Sequence, residues 1–149
     1  MKFLSTIAAA GALAGTALAG VPAERRDVQT AHFTFHAGPV NYTLAVPADG
    51  TVYPTNSDLN VNIIDANDFN AYSGCTFVTN LPVTRVQSID TKTGEQHIIL
   101  GPPAVVTGVS CHGFCVPNYS NCYDNNGQNV GPCCNGFCAA NKCRPWNGV

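Results

Sequence analysis

The sequence predicts an all-β protein, a small antiparallel β-sandwich followed by a disulfide-rich C-terminal module. Three observations carry this. Short stretches alternate polar and apolar residues with period two. Turn-forming residues recur between those stretches. Seven of the eight cysteines fall between Cys111 and Cys143, the density of a disulfide scaffold. Charged residues are only 11% of the 149-residue chain, too few for the faces of a coiled coil or helical bundle.

At the N-terminus, Lys2 precedes an alanine-rich apolar stretch that ends in Ala17-Leu18-Ala19. Small residues at those positions suit a signal peptidase, so residues 1–19 read as a secretory signal. A transmembrane helix fits less well, because Ser5, Thr6, Thr16 and interspersed glycines dilute the stretch and about 20 strongly apolar residues are needed to cross a bilayer. Residues 20–26 end in Arg25-Arg26 and read as a pro-segment cut after the dibasic pair, with an ordinary flexible N-terminus as the other reading. Cleavage there leaves 123 residues, enough for one compact domain and a small appendix. No later apolar run is long enough to span a membrane, so a soluble mature chain is expected.

Residues 27–110 supply the sandwich. His32-Phe33-Thr34-Phe35-His36 alternates, and residues 42–46 place large side chains at every second position, both strand patterns. Leu59-Asn60-Val61-Asn62-Ile63 sets three aliphatics against two asparagines, as a sheet with one dry face requires. Ile64 begins to break that alternation. Residues 75–78, 83–89, 96–100 and 105–109 complete about seven strands. Between them lie Ala48-Asp49-Gly50, Pro54-Thr55-Asn56-Ser57, Asn67-Asp68, Lys92-Thr93-Gly94 and Gly101-Pro102-Pro103, all of turn chemistry. Many short strands in about 80 residues favour two packed antiparallel sheets.

Residues 111–149 form the module. From Cys115 the gaps are six residues to Cys122, ten to Cys133, none to Cys134, three to Cys138 and four to Cys143. Six cysteines can pair in 15 ways, so spacing alone leaves connectivity open. Adjacent cysteines bond each other only by distorting the peptide between them, which sends Cys133 and Cys134 to different partners. The spacing, with its vicinal pair third and fourth, resembles the inhibitor cystine-knot (knottin) pattern over about 30 residues. The resemblance implies Cys115 with Cys134, Cys122 with Cys138, and Cys133 with Cys143. Cys75 and Cys111 then remain to pair and to staple the module to the sandwich. A segment this short buries too little apolar surface to fold alone, so crosslinks at about 3 kcal/mol each supply the stability. A zinc site built from Cys111, His112 and later cysteines is the less favoured reading in an oxidising compartment.

The layout as a whole resembles the small secreted cysteine-rich proteins of filamentous fungi: alanine-rich signal, short pro-segment, β-rich body and knotted C-terminal module. That resemblance implies a secreted effector, toxin or surface-active factor without naming its target.

From Asp27 onward four bases (Arg85, Lys92, Lys142, Arg144) face eight acids, a net charge of −4. Nucleic-acid binding is therefore disfavoured. The imbalance is uneven, −5 over residues 27–110 and +1 from Cys111 onward. His32 and His36 suggest a metal pair, but four residues apart on a strand they lie about 13 Å from each other, too far for one ion. Asp65-Ala66-Asn67-Asp68 and Asp124-Asn125-Asn126-Gly127 carry oxygen ligands suited to calcium but lack the rest of an EF-hand loop, and read as Asx-type turns. No nucleophile elbow and no carboxylate dyad is evident, so neither an enzyme nor a cofactor is expected. Asn41 and Asn118 head N-glycosylation sequons, acceptors in a secreted protein.

The expected function is a monomeric, non-catalytic binder whose knotted tip contacts a macromolecular partner, a host or competitor protein. Crosslinked loops lose little entropy on binding. Phe137, Lys142, Arg144 and Trp146 are the expected contacts, since aromatic and arginine side chains dominate hot spots. One alternative is binding of a cell-wall glycan, chitin or glucan, through Tyr119, Tyr123 or Trp146. The chain lacks the spaced aromatic pair of hevein-type modules. The other alternative is a structural secreted component with no discrete ligand.

Overall fold

Phe33 and Phe35, two residues apart on one strand, are both fully buried, while Thr34 between them is only half-buried and His32 before them is exposed. That period-two burial organises everything around it. The computed structural model describes residues 27–147, so the signal at 1–19 and the pro-segment at 20–26 lie outside the described residues. Within them the chain forms β1 (Thr30–Ala37), β2 (Val40–Pro47), β3 (Tyr53–Pro54), β4 (Asn60–Asp65), a helical turn α1 (Ala71–Gly74), β5 (Cys75–Thr79), β6 (Thr84–Asp90), β7 (Glu95–Cys111), β8 (Phe137–Ala139) and β9 (Lys142–Arg144). The fold is all-β, and every pairing between these strands is antiparallel.

Strand β7 runs for 17 residues and joins the sandwich into one hydrogen-bonded network. Strand β6 pairs with its first half, β4 with residues on both sides of its midpoint, and β5 and β3 with its second half. Strand β1 lies between β4 and β2. The halves close on each other through aromatic rings. Phe77 of β5 meets Phe33 and Phe35 edge-on at 5.7 and 6.4 Å between centroids. Tyr42 of β2 stacks on Phe35 at 4.7 Å. Val46, Val61, Ile64, Val106 and Val109 fill the remaining space, and each large apolar side chain buried contributes about 1.5–3 kcal/mol.

Two details differ from the pattern read in the sequence. Gly101-Pro102-Pro103, expected as a turn between two strands, lies inside β7. Opposite it, the β4 register jumps from Val61↔Ala104 to Ile63↔Ile99. The prolines thus occupy a bulge, where their missing N–H groups interrupt no ladder. The same bulge resets the faces of β4, so Val61 and Ile64 enter the core, while Ile63 is only partly buried and lines an outer groove. An irregularity that offsets pairing by one residue flips each side chain beyond it.

The C-terminal segment has little regular structure apart from the β8–β9 hairpin. Its internal bonds are Cys115–Cys134, Cys122–Cys138 and Cys133–Cys143, the connectivity that the knottin resemblance implies, and Cys75–Cys111 joins β5 to the end of β7. Cys115 and Cys134 pack into the body's core, whereas Cys122, Cys143 and Val116 form a second, very small one.

Candidate functional site

The four contact residues expected from the sequence converge at the β8–β9 hairpin. Phe137 lies opposite Arg144 and Ala139 opposite Lys142. Directly opposed residues share a face, as do residues two apart on a strand, so Phe137, Arg144 and Lys142 point the same way. Cys138 and Cys143 point the other way, and Cys143 is fully buried. Trp146 follows the hairpin and packs on Phe137 at 5.7 Å between ring centroids. Lys142 is exposed, whereas Phe137, Arg144 and Trp146 are half-buried. Part of the aromatic surface is therefore spent on the tip's own packing. The Trp146 Nε1–H has no hydrogen-bond partner, and neither base is paired with a carboxylate among the described residues.

Local chain chemistry builds this hairpin. Ala140 and Asn141 both adopt positive φ, at 50° and 58°, as a two-residue type I′ turn requires. The Asn141 side chain accepts a hydrogen bond from the Tyr123 amide at 2.8 Å. Gly136, at φ +90°, lies so close to β9 that a β-carbon there would sit 1.7 Å from the Arg144 carbonyl oxygen.

Amide side chains clamp the hairpin's module to the body, and nothing in the sequence reading singled them out. Gln96 Nε2 donates to the carbonyls of Ala66, Phe69 and Cys134 at 2.9, 3.3 and 2.8 Å. Gln29 donates to the Cys115 carbonyl and accepts from its amide, at 2.8 and 2.9 Å. Asn135 and Asn147 donate to the carbonyls of Gly94 and Thr93 in the β6–β7 turn, each at 3.0 Å. Gln96 stands between Glu95 and His97, so the local sequence reads as polar and solvent-facing. Only long-range contacts reveal Gln96 as a buried donor.

The loop between Cys115 and Cys134 exposes Tyr119, Tyr123 and Val130, with Tyr119 the most exposed at 62%. Asn118 beside it is half-buried, and its Oδ1 has no partner. Asn41 is exposed on β2.

A second polar cluster lies on the outer face of the body. His32 Nδ1 meets Asp68 at 2.5 Å, while His36 Nε2 and His97 Nδ1 each meet one oxygen of Asp65 at 2.6 Å. His32 and His36 thus serve separate carboxylates. Among the described residues no group of His, Cys, Asp or Glu is arranged to hold a metal ion. The two aspartates of the Asp65-Ala66-Asn67-Asp68 segment are taken by imidazoles, and Asn67 Oδ1 accepts the Gln96 amide at 2.9 Å. Asp124 caps its own turn, accepting the amides of Asn126 and Gln128 at 2.8 and 2.9 Å, which is Asx-turn geometry. Ser88 stands opposite His97 across β6 and β7. The roles of Asp65 and His97 become visible only in register, because the sequence separates them by 32 positions.

Two turn carboxylates are held below the usual range by amide donors. The Thr51 N–H lowers Asp49, helped by the Tyr53 hydroxyl, and the Lys92 N–H lowers Asp90. Asp49 lies in the turn after β2 and Asp90 at the β6–β7 hairpin turn. No helix among the described residues is long and apolar enough to cross a membrane.

No family model matches the chain, and no curated protein or solved structure matches it either.

Proposed function

We propose that this is a secreted, monomeric, non-catalytic binding protein whose β8–β9 face contacts a macromolecular partner with an acidic surface, a host or competitor protein. The observation that supports it most is the shared face of Phe137, Lys142 and Arg144, with Trp146 packed at its edge. Two aromatic rings beside two unpaired cations match the composition of binding hot spots. Four disulfides and the amide clamps hold this face in place before any encounter, which lowers the entropy lost on binding. The four disulfides also fit an oxidising, extracellular setting. The charge difference, −5 over the body and +1 over the tip, orients an acidic partner toward the tip.

Glycan binding is the second reading, favoured by the exposure of Tyr119 and Tyr123 on the adjoining loop. One experiment separates the two. The protein is tested for retention on membrane preparations, on chitin and on β-glucan, alongside the variant Lys142→Ala with Arg144→Ala. Neither side chain makes an ion pair among the described residues and Arg144 is only half-buried, so the double variant should stay folded with at most a modest loss of thermal stability. Salt-sensitive membrane retention that falls at least tenfold in the double variant supports the proposal. Retention on chitin or glucan that survives the double variant and is lost in Tyr119→Ala supports glycan binding instead.

A further inference from the structure

A groove of about 420 Å³ opens on the outer face of the body, lined in part by His36, Asn62, Ile63, Asp65, His97 and Ile99. It lies on β1, β4 and β7, on a different element set from the tip hairpin. Asp65 and His97 are direct partners across β4 and β7, and His36 pairs with Ile63 across β1 and β4. The side chains of Asp65 and both histidines retain 25–33% of their exposure, so the cluster forms a floor that a small ligand can reach.

Hydrogen-bond inventory defines what that floor offers. An ionised carboxylate only accepts, so the ring nitrogens facing Asp65 carry hydrogens: Nε2 of His36 and Nδ1 of His97. In neutral imidazoles the opposite nitrogens, His36 Nδ1 and His97 Nε2, are then acceptors. Asn62 Oδ1 is buried and has no partner, a further acceptor that is unfavourable to leave unpaired. Asp65 keeps a free lone pair on each oxygen. No lysine or arginine is paired with it among the described residues. The floor is therefore rich in acceptors and carries the Asp65 charge, while Ile63 and Ile99 provide apolar walls.

A group that only donates, carries positive charge and trails an alkyl chain satisfies all three properties. An ammonium has three donors and no acceptor. An anion would meet the Asp65 carboxylate, and a sugar ring would find no Phe, Tyr or Trp among the lining residues to stack on. We propose that this groove binds an alkylammonium group, supplied either by a free diamine or by a lysine side chain of a basic peptide. The site is independent of the tip proposed above.

The test follows the histidine ring signals of the full-length mature chain by NMR at about pH 8, above the ordinary histidine range. The probes are cadaverine, acetyl-lysine amide and, as a neutral control, pentanol. His32 and His112 do not line the groove and serve as internal references. Saturable shifts of His36 and His97 below about 10 mM of either amine, absent with pentanol, are expected, and the tighter amine identifies the source. Asp65→Asn should weaken binding at least tenfold, whereas Lys142→Ala with Arg144→Ala should leave it unchanged. If Asp65→Asn fails to fold, Asn62→Ala decides, with a severalfold loss expected. Equal responses to amine and pentanol, signals that do not move, or undiminished binding by a folded Asp65→Asn or Asn62→Ala protein would overturn the proposal.

Discussion

The body and the tip hold their shapes by different means. In the body, Phe33, Phe35, Phe69, Ile64 and several valines are fully buried, and strand pairing follows from their alternation. In the tip, the local core is Val116 with three cysteines, and aromatic residues sit outside it: Phe114, Tyr119 and Tyr123 are exposed. A region of this size would need its aromatics inside if it folded by burial alone. Crosslinks release them. Disulfides therefore do more here than add stability, since they free apolar side chains to serve as a surface.

That contrast can be broken at each end. In the body, Phe35→Ala removes a ring in contact with Phe33, Tyr42 and Phe77 and should lower unfolding free energy by about 3–5 kcal/mol, measured by denaturant titration. A loss below about 1 kcal/mol would mean that the aromatic core does not hold the sandwich. In the tip the most damaging change is an addition. Gly136→Ala sets a β-carbon against the Arg144 carbonyl at positive φ and should destabilise the β8–β9 hairpin by about 3 kcal/mol. Amide exchange should then rise at Ala139 and Lys142, the pair beside the turn, and stay unchanged in β1 and β4. Gln96→Ala tests the join between the regions. The Ala66 and Cys134 carbonyls lose the Gln96 donor, while that of Phe69 keeps the Ala71 amide, and a loss of about 1–3 kcal/mol is expected, with no change in the four disulfides on non-reducing peptide mapping. The smallest effect is set by pH. The lowered carboxyls of Asp49 and Asp90 stabilise the native turns above the unfolded value near pH 3.9. That contribution disappears as pH falls through their lower native values. Exchange at the Thr51 and Lys92 amides, corrected for intrinsic rate, should therefore accelerate below about pH 4.

Legibility in the sequence follows the same division. His32-Phe33-Thr34-Phe35-His36 announces β1 because burial on one face leaves a local period-two trace. Lys92-Thr93-Gly94 announces the β6–β7 turn, where Gly94 adopts φ +77°. The Gly101-Pro102-Pro103 stretch misleads because a bulge and a turn use the same residues, and only the partner strand distinguishes them. In the tip, spacing alone leaves the pairing open, and the scheme is what the resemblance to the knottin pattern, with its vicinal pair third and fourth, implies. The clustering of Phe137, Lys142, Arg144 and Trp146 was readable because they lie within ten residues of each other. The Asp65 cluster was not, because its three members come from three strands joined only by register.

The division of labour between core and crosslinks is tested most directly by hydrogen exchange on the protein carrying Cys122→Ala with Cys138→Ala. That bond closes a 16-residue separation within the tip alone, a loop for which a disulfide contributes about 3 kcal/mol. Protection should fall across residues 116–143 and remain at native levels in β1, β4 and β7. Loss of protection in those body strands together with the tip, or a tip that stays protected without the bond, would contradict it.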